Sequence, residues 1–374
     1  MEQTNKYFAA ALKLYDHIVT EHWDGQKIVG PDPGIRWNFR LWRYIKNYYR
    51  FISWNDDVYF LQCQGYWIVD NWWLFEITKS DKYKIIAEKC STNIIEKQHP
   101  DGYWVHPLPE WRGRIATVEG IYASLGLLYS YQYTKDKVYL DAVLKWYNFL
   151  ISKTGFIKYK DSLAVHYFAD QIGGMVPNNT TLTLTFFSEL YRITQDPEYL
   201  KYTEKLIRFL QYAQKNNGEF PYIYQERDHL LCYQYNSFQF LDLAHYYKII
   251  QDKHIWKILV NISRFLVTGV NMNGSSKYNC DHNLPETHYY TAVLGAALAT
   301  ANNMGIDDFS YVSDHILNRL LMFQKTNGSF GFSRRNYLMF SDDRSYPRYL
   351  SMILKHLLIK GRLAEDQQSM KSKK

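Results

Sequence analysis

Polar side chains that could carry out chemistry recur where long loops run into apolar helical segments. Five such segments begin near Thr117, Asn178, Tyr235, His288 and Ser345. One capping residue such as Asn, Thr or Ser would satisfy the first turn of each helix. These helix starts instead carry dense groups of Arg, Tyr, Asn, His and Glu. These helix starts contain more polar residues than capping requires. The sequence therefore predicts a functional site at which the loop ends converge.

Acidic and hydroxyl-bearing residues in these groups suit two kinds of reaction. Two carboxylates across a cavity could hydrolyse a glycosidic bond, one as acid and one as base or nucleophile. Glu119 with Asp57 or Asp343 is the expected pair. Tyrosine and histidine beside a neutralised carboxylate could instead remove and return a carbon-bound proton. The predicted catalytic residues are therefore Asp57, Glu119, His288, Tyr289 and Asp343.

A second set of residues suits substrate binding. Arginine recognises carboxylate or phosphate groups as a planar fork, and aromatic rings stack on sugar faces. A structural explanation stays open, because Asn178 suits a helix cap and tyrosines at helix starts commonly pack. The predicted binding residues are Trp37, Trp111, Arg112, Arg114, Asn178, Asn179, Tyr235, Asn236, Arg344, Tyr346 and Arg348. The sequence shows no zinc-type Cys/His spacing and no phosphate-binding glycine loop, so we expect neither a metal nor a cofactor.

A recurring mark of the form Gln-x-x-x-Gly-x-aromatic indicates which elements position these residues. Strong copies lie at 98–104, 214–220 and 324–330, and weaker copies contain Gly155 and Gly274. The five glycines are 53, 63, 56 and 54 residues apart, and a period of this size indicates a helical repeat. An Asp precedes each glycine by about 20 residues, which predicts an outer helix that the Asp caps and that ends near the glycine. These are Asp81, Asp136, Asp196, Asp252 and Asp307.

The segments between the outer helices are apolar on most faces, which is typical of buried helices. Six such inner helices, alternating with outer helices, close most simply into a ring. The N-terminal helix over 4–22 is expected to pack beside the last inner helix at 345–360 and to close the array. A basic, aromatic helix over 36–51 would lie at the mouth. We predict one all-α domain over 1–362, with a disordered basic tail over 363–374.

This arrangement resembles the six-hairpin (α/α)6 toroid, which many glycoside hydrolases, uronate lyases and epimerases share with terpenoid cyclases and protein prenyltransferases. The resemblance covers nearly the whole chain in its period, and the glycine marks look like those of terpenoid cyclases. The Asp-x-Asp-Asp acid of class II cyclases has no full match, because the pairs at 56–57 and 342–343 lack the first Asp. Prenyltransferase-type zinc ligands are not recognisable either.

The resemblance implies a glycan-active enzyme, either a hydrolase or a lyase or epimerase that acts on a uronic-acid-containing saccharide. Two alternatives stay open. One is a terpenoid cyclase-like enzyme with a divergent acid. The other is a non-catalytic binding protein of a glycan or cell-surface polysaccharide biosynthesis system. The expected partner is a small-molecule or oligosaccharide substrate.

The composition limits the class of protein. Tyr, Phe and Trp make up 17% of the chain, so aromatic rings either fill a large core or line a cavity. The net charge of +7 comes without any nucleic-acid-binding motif, so we expect no nucleic-acid partner. No apolar run reaches the roughly 18 residues that span a membrane, so we expect no membrane insertion. The scattered cysteines predict unpaired thiols and a cytoplasmic location: Cys63, Cys90, Cys232 and Cys280.

Overall fold

The computed structural model describes residues 5–33, 45, 57–108, 111, 113–225, 232–283, 285–336 and 340–372. Twelve α-helices within these ranges alternate between outer and inner positions. The outer helices are α1 (Lys6–Glu21), α3 (Asp81–Glu96), α5 (Lys137–Phe149), α7 (Thr203–Ala213), α9 (Lys253–Val267) and α11 (Ser310–Leu321). The inner helices are α2 (Leu61–Thr78), α4 (Thr117–Thr134), α6 (Pro177–Thr194), α8 (Cys232–Ile250), α10 (His288–Asn303) and α12 (Pro347–Ser372).

Burial separates the two sets of helices as the sequence predicts. Every residue of α10 from His288 to Ala301 is buried. The outer helix α9 instead buries one face, which includes Ile255, Ile258 and Ile262. Each inner helix packs between two inner neighbours, α12 packs against α2, and α1 packs on α12. The ring is therefore closed, with the first helix beside the last.

The recurring glycine mark ties neighbouring outer helices together. In each strong copy the Gln side-chain amide donates to the carbonyl oxygen of the glycine four residues later. The same amide donates to a carbonyl on the next outer helix. These distances are 2.8 Å from Gln98 to Ala142, 3.2 Å from Gln214 to Ile258 and 2.8 Å from Gln324 to Ala10. The aromatic residues that end the marks are buried, so each mark stops one outer helix and fixes it to the next: Trp104, Phe220 and Phe330.

Two of the five predicted Asp caps, Asp136 and Asp252, are confirmed at the start of an outer helix, whereas Asp196 caps a short 3-10 turn (Pro197–Leu200) that precedes α7. Asp136, Asp196 and Asp252 each accept a backbone N–H two residues ahead, at 2.7 to 3.1 Å. The other two predictions were wrong by one or two positions. Asp81 is the first residue of α3, with Ser80 in the cap position. Asp308, and not Asp307, accepts the N–H of Ser310 before α11.

The loops hold features that the repeat does not predict. Two antiparallel hairpins, β1 (Phe156–Tyr159) with β2 (Ser162–Val165) and β3 (Ser333–Asn336) with β4 (Phe340–Asp342), precede α6 and α12. The predicted helix over 36–51 lies outside the described residues apart from residue 45. Helix α12 continues through Ser372, past the predicted boundary at 362 and into the segment predicted to be a disordered tail.

Cys232 and Cys280 form a disulfide, which corrects the prediction of four unpaired thiols. They are 48 residues apart, and they meet because the loop before α10 folds back onto the start of α8. Cys63 and Cys90 are free and buried, as predicted. Across the described ranges, no helix is both long and apolar enough to cross a membrane. The cytoplasmic location stays a prediction.

Replacing Gly218 by Ala tests whether the mark holds the outer wall. Gly218 has φ +93°, and an added Cβ would overlap the backbone carbonyl of Asn261 on α9. Gly25 is a matched control, because it has φ +102° but no atom within 4 Å of an added Cβ. Gly25→Ala therefore incurs only backbone strain, of about 1–3 kcal/mol. Gly218→Ala should lower the free energy of unfolding by about 1–3 kcal/mol more, because α9 must move. Equal losses in urea unfolding would show that the close approach to α9 is unimportant.

Candidate functional site

The inner helices begin at the same end of the ring, and their first turns contact one another there. Glu119 in the first turn of α4 accepts the backbone N–H of Leu61 at 2.7 Å and of Gln62 at 3.2 Å, at the start of α2. On the opposite side of the ring, two neighbouring inner helices are joined in the same way. The Gln234 side chain at the start of α8 donates to the Tyr289 hydroxyl at the start of α10, at 3.1 Å. These contacts gather the predicted loop ends at one mouth.

Arg348, in the first turn of α12, lies at the centre of this mouth. Its Nε donates to Gln62 Oε1 at 3.0 Å, and its Nη1 is 3.8 Å from Asp32 Oδ2. Its guanidinium stacks over the Phe60 ring at 4.2 Å. Within the described residues the bond to Gln62 is the one hydrogen bond of this guanidinium, and 25% of the side chain stays accessible. Arg348 therefore keeps N–H donors that no described residue accepts.

Two carboxyl groups flank this guanidinium, and both are buried. Asp32 and Glu119 are 1% and 4% exposed. Burial raises the pKa of Glu119, while the charge of Arg348 and the two backbone N–H groups oppose that rise. The charge of Asp32 adds to the rise in the pKa of Glu119. One cation therefore lies beside two buried acids, and burial favours the neutral form of Glu119 while Arg348 favours its charged form.

Tyrosines from several inner helices and loops surround Arg348. The Tyr289 ring lies 4.3 Å from Tyr349 and the Tyr235 ring 4.9 Å from Tyr222, measured between centroids. Burial raises the pKa of Tyr167, Tyr235 and Tyr289 well above the usual range. The positive charge of Arg348 lowers each of these pKa values without cancelling the effect of burial. These tyrosines are therefore neutral phenols at physiological pH and serve as hydrogen-bond donors.

An aromatic rim lies outside this cluster. Trp111 is 37% exposed and meets Phe168 edge-on, at 5.3 Å between ring centroids. His106 lies 4.8 Å from Trp111, and burial with the charges of Arg348 and Arg114 lowers its pKa to about 4. Arg114 stacks on Phe168 and binds Asp170 through two hydrogen bonds of 2.7 and 2.9 Å. Arg114 is thus occupied by its ion pair with Asp170 at the rim, whereas the ring of Trp111 is partly exposed.

Several predicted catalytic residues lie elsewhere. Asp57 and Asp343 are exposed, and Asp343 pairs with Lys325 at 3.1 Å. The carboxyl group whose charge acts on Glu119 is that of Asp32, and the pairing of Glu119 with Asp57 or Asp343 stays a prediction. His288 is held in the wall, where its Nδ1 lies 2.8 Å from the Gly331 carbonyl oxygen and its ring stacks on Phe323. Glu119 and Tyr289 are the predicted catalytic residues that the structure brings to the mouth.

Several predicted binding residues brace loops. The Asn236 amide donates to the Phe220 carbonyl and accepts the Phe220 N–H, at 3.0 and 2.8 Å. Asn179 Nδ2 donates to the His166 carbonyl, and Tyr346 donates to Asp342 Oδ2 at 3.0 Å. These contacts hold the glycine mark and the loops before α6 and α12. The backbone N–H of Arg344 also binds Asp342, and the Asn178 carbonyl accepts from Thr181. Two further predicted residues lie outside the described residues: Trp37 and Arg112.

Sequence reasoning missed residues that complete the mouth and its interior. Asp32 lies in the Gly/Pro-rich run 30–34, which the sequence marks only as a break between helices. Gln62, Tyr122 and Asp242 lie within inner helices whose periodicity indicates burial but not which side chains face the axis. The sequence could have indicated Asp242 as a candidate site residue, because a carboxylate in a helix that is apolar on most faces must be paired, protonated or bound to a ligand.

No protein-family model matches the chain, and no curated protein matches it. Solved structures do match over nearly their whole length. The cellobiose 2-epimerase from Bacillus thermoamylovorans has a TM-score of 0.74 at 12% identity, covering 95% of this chain and 99% of that one. A family 76 mannosidase from Bacteroides thetaiotaomicron has a TM-score of 0.68 at 12% identity, covering 97% and 100%. An unsaturated glucuronyl hydrolase specific for heparin has a TM-score of 0.64 at 12% identity, with 96% of each chain covered.

The chain has the six-hairpin (α/α)6 toroid fold. At 12% identity the likeness establishes the toroid and leaves the reaction to the site itself.

Replacing Arg348 by Gln tests the charge balance of the mouth. The change removes the cation that acts on Glu119 and Asp32, and breaking a buried charge group commonly costs about 3–5 kcal/mol. Without Arg348 the pKa of Glu119 should rise further. Stability is then lost as pH rises through that higher pKa, so the destabilisation should be larger at pH 8 than at pH 5. Urea unfolding at both pH values measures this difference. Arg348→Lys keeps the charge and should lose less stability. An equal loss of stability for Arg348→Gln at pH 5 and at pH 8 would contradict the charge balance.

Proposed function

We propose that this protein is a glycan-active enzyme whose site is the mouth around Arg348 and Glu119. The observation that carries the proposal is the partly accessible guanidinium of Arg348, which keeps N–H donors that no described residue accepts, beside two buried carboxyl groups. Three structures with the same fold are named as an epimerase, a mannosidase and a glucuronyl hydrolase, which supports a saccharide as the substrate.

A uronic-acid unit suits this mouth better than a neutral sugar alone. The guanidinium presents parallel N–H groups, which match the two oxygens of a carboxylate. Asp32 offsets its charge only in part, because Nη1 and Asp32 Oδ2 are 3.8 Å apart and beyond hydrogen-bonding distance. The partly exposed ring of Trp111 at the rim could stack on a neighbouring sugar unit.

We assign hydrolysis of a glycosidic bond as the reaction. Glu119 has a raised pKa and so suits the acid that protonates the leaving oxygen. Asp32, the second carboxyl group beside Arg348, suits the group that activates water or attacks the sugar. The neutral tyrosines disfavour the alternative, in which a phenolate removes a carbon-bound proton. Their hydroxyls instead suit hydrogen bonds to the substrate.

A terpenoid cyclase-like reaction fits this mouth less well. A cyclase calls for a deep apolar pocket with one buried acid and rings that stabilise a carbocation. A cation at the centre of the site would oppose a carbocation. Arg348 occupies that position, with Gln62, Asp32 and Glu119 around it.

Glu119→Gln provides the direct test of the proposed enzyme. The wild-type protein is incubated with glucuronate-containing oligosaccharides in deuterated water, and products are followed by mass and by absorbance. Cleavage without carbon-bound deuterium and without an unsaturated product is expected for hydrolysis. Loss of a general acid commonly lowers the rate by about 10²–10⁴-fold, so Glu119→Gln should do so.

Asp343→Asn is the matched control for the loss of an acidic residue. Asp343 is exposed and pairs with Lys325, so this variant should keep the wild-type rate. An unsaturated product, or deuterium in recovered sugar, would replace hydrolysis by elimination or epimerisation at the same site. Full activity of Glu119→Gln would place the chemistry elsewhere.

A further inference from the structure

A second group of polar residues lies deeper in the ring, below Arg348. Gln234 is level with the mouth because it contacts Tyr289, and Asp242 follows eight residues later on the same helix. At 1.5 Å per residue this places Asp242 about 12 Å further along the axis. Tyr66 follows Gln62 by four residues on α2 and so lies at an intermediate depth of about 6 Å.

Asp242 is directed into the interior of the ring. Its charge acts on Tyr66 of α2 and on Tyr122 of α4. Helix α8 is separated from α2 by two inner helices in either direction around the ring, so an interaction between them crosses the axis. Side chains of a helix lean toward its N-terminus, and all inner helices begin at the mouth. Asp242, Tyr66 and Tyr122 therefore lean toward the mouth from below.

Asp242 is half-buried, and no cation among the described residues pairs with its carboxyl group. Its Oδ2 lies 3.3 Å from the Thr181 hydroxyl, whose one proton is shared with the Asn178 carbonyl at 3.0 Å. Among the residues that the structure describes, no Lys, Arg or His lies within ion-pair distance of Asp242, and the deep cation Lys355 is paired with Asp70 at 3.7 Å. Burial raises the pKa of Asp242 to about 8. A neutral carboxyl group has an O–H donor and a carbonyl acceptor. It can therefore both donate to and accept from the hydroxyl groups of a sugar.

The tyrosine pair adds a donor at the intermediate level. The Tyr66 and Tyr122 hydroxyls are 3.0 Å apart, so one of their two protons lies between them. Gln62 accepts from Arg348 through Oε1, and its side chain is also hydrogen-bonded to Tyr122. Whichever tyrosine donates within the pair, no described residue is seen to accept the other proton, which could serve a ligand. The pair thus links the mouth to Asp242 and offers a hydroxyl between them.

We propose that Asp242, Thr181 and the Tyr66–Tyr122 pair form a subsite inside the ring that binds the hydroxyl groups of an uncharged sugar unit. This inference rests on the proposed function, because it assumes that Arg348 binds an acidic unit at the mouth. The cationic mouth, together with an interior carboxyl group that no described cation pairs with, then selects a saccharide end that joins a uronic acid to a neutral sugar. The neutral unit occupies the deeper position, where an ionised sugar would face a carboxyl group without a counter-ion.

Isothermal titration calorimetry with three probes tests this subsite on the full chain. The probes are glucuronic acid, cellobiose and a disaccharide of glucuronic acid linked to glucose. The wild type should bind the mixed disaccharide more tightly than glucuronic acid. Asp242→Leu removes the polar group at similar size and should weaken the disaccharide about tenfold, the loss of one or two hydrogen bonds. It should leave the affinity for glucuronic acid unchanged.

Two further variants guard against loss of folding. Asp242→Asn keeps a donor and an acceptor and should retain affinity for the disaccharide within about threefold. Tyr122→Phe removes only a hydroxyl and should weaken the disaccharide but not glucuronic acid. Asp161→Leu, at an exposed carboxylate that pairs with Arg208, is the control for loss of an acid. Near-ultraviolet circular dichroism confirms the fold of each variant.

The outcomes separate this subsite from the proposed function. Unchanged disaccharide affinity in both Asp242→Leu and Tyr122→Phe, with binding lost in Arg348→Lys, would overturn the subsite and leave the mouth as proposed. Weaker cellobiose binding in Asp242→Leu, with no effect of Arg348→Lys on any probe, would support the subsite and overturn the role of Arg348. Absence of wild-type binding to all three probes would overturn both.

Discussion

The hydrogen bonds of three glutamine side chains fix the spacing of the outer wall, and the rest of the structure depends on that spacing. Gln98, Gln214 and Gln324 each bridge their own glycine corner and a carbonyl of the next outer helix. Glycine is required at the corner for two independent reasons, a positive φ and the absence of space for a Cβ. Because each outer helix packs on its inner partner, fixing the outer wall also fixes the radius at which the inner helices meet.

That radius brings the first turns of the inner helices together. It thereby places three ionisable side chains close to one another at the mouth. Glu119 and Asp32 are removed from bulk water, which disfavours the charged form of each carboxyl group, and the partly accessible Arg348 lies beside them. The helix start of α2 offsets part of this penalty through two N–H groups, and Gln62 offsets part of it through Arg348. The remaining imbalance leaves one acid with a raised pKa and one guanidinium with unused donors. A fold that only needed stability could have filled these positions with apolar side chains.

The sequence was sufficient for the fold because the ring is built from local signals that repeat. The glycine marks and the caps at Asp136 and Asp252 give helix boundaries, and the apolar segments between the outer helices give the inner set. Arg348, Glu119, Tyr235 and Tyr289 could also be predicted, because they stand at helix starts that share one end of the ring.

The rest of the site depends on three-dimensional neighbours that no local pattern specifies. Asp57 and Asp343 look equivalent to Glu119 in the sequence, yet both are exposed. Asp32 reaches the mouth from a turn between helices, and Asn236 turns from the mouth to brace Phe220. The pairing of Cys232 with Cys280 likewise follows from how the loop before α10 folds back, and not from the spacing of 48 residues.

The contact between Arg348 and Gln62 joins residues 286 apart in the chain, across the seam where the last inner helix meets the first. Every other pair of adjacent inner helices is also adjacent in the order of the repeats, so those pairs can form as the chain grows. The seam forms only when the two ends of the array meet, and closing so long a loop carries an entropic penalty that shorter contacts avoid. Arg348, at the centre of the candidate site, is therefore also a residue whose placement requires a complete ring, and an incomplete or open array would leave its contact with Gln62 unformed.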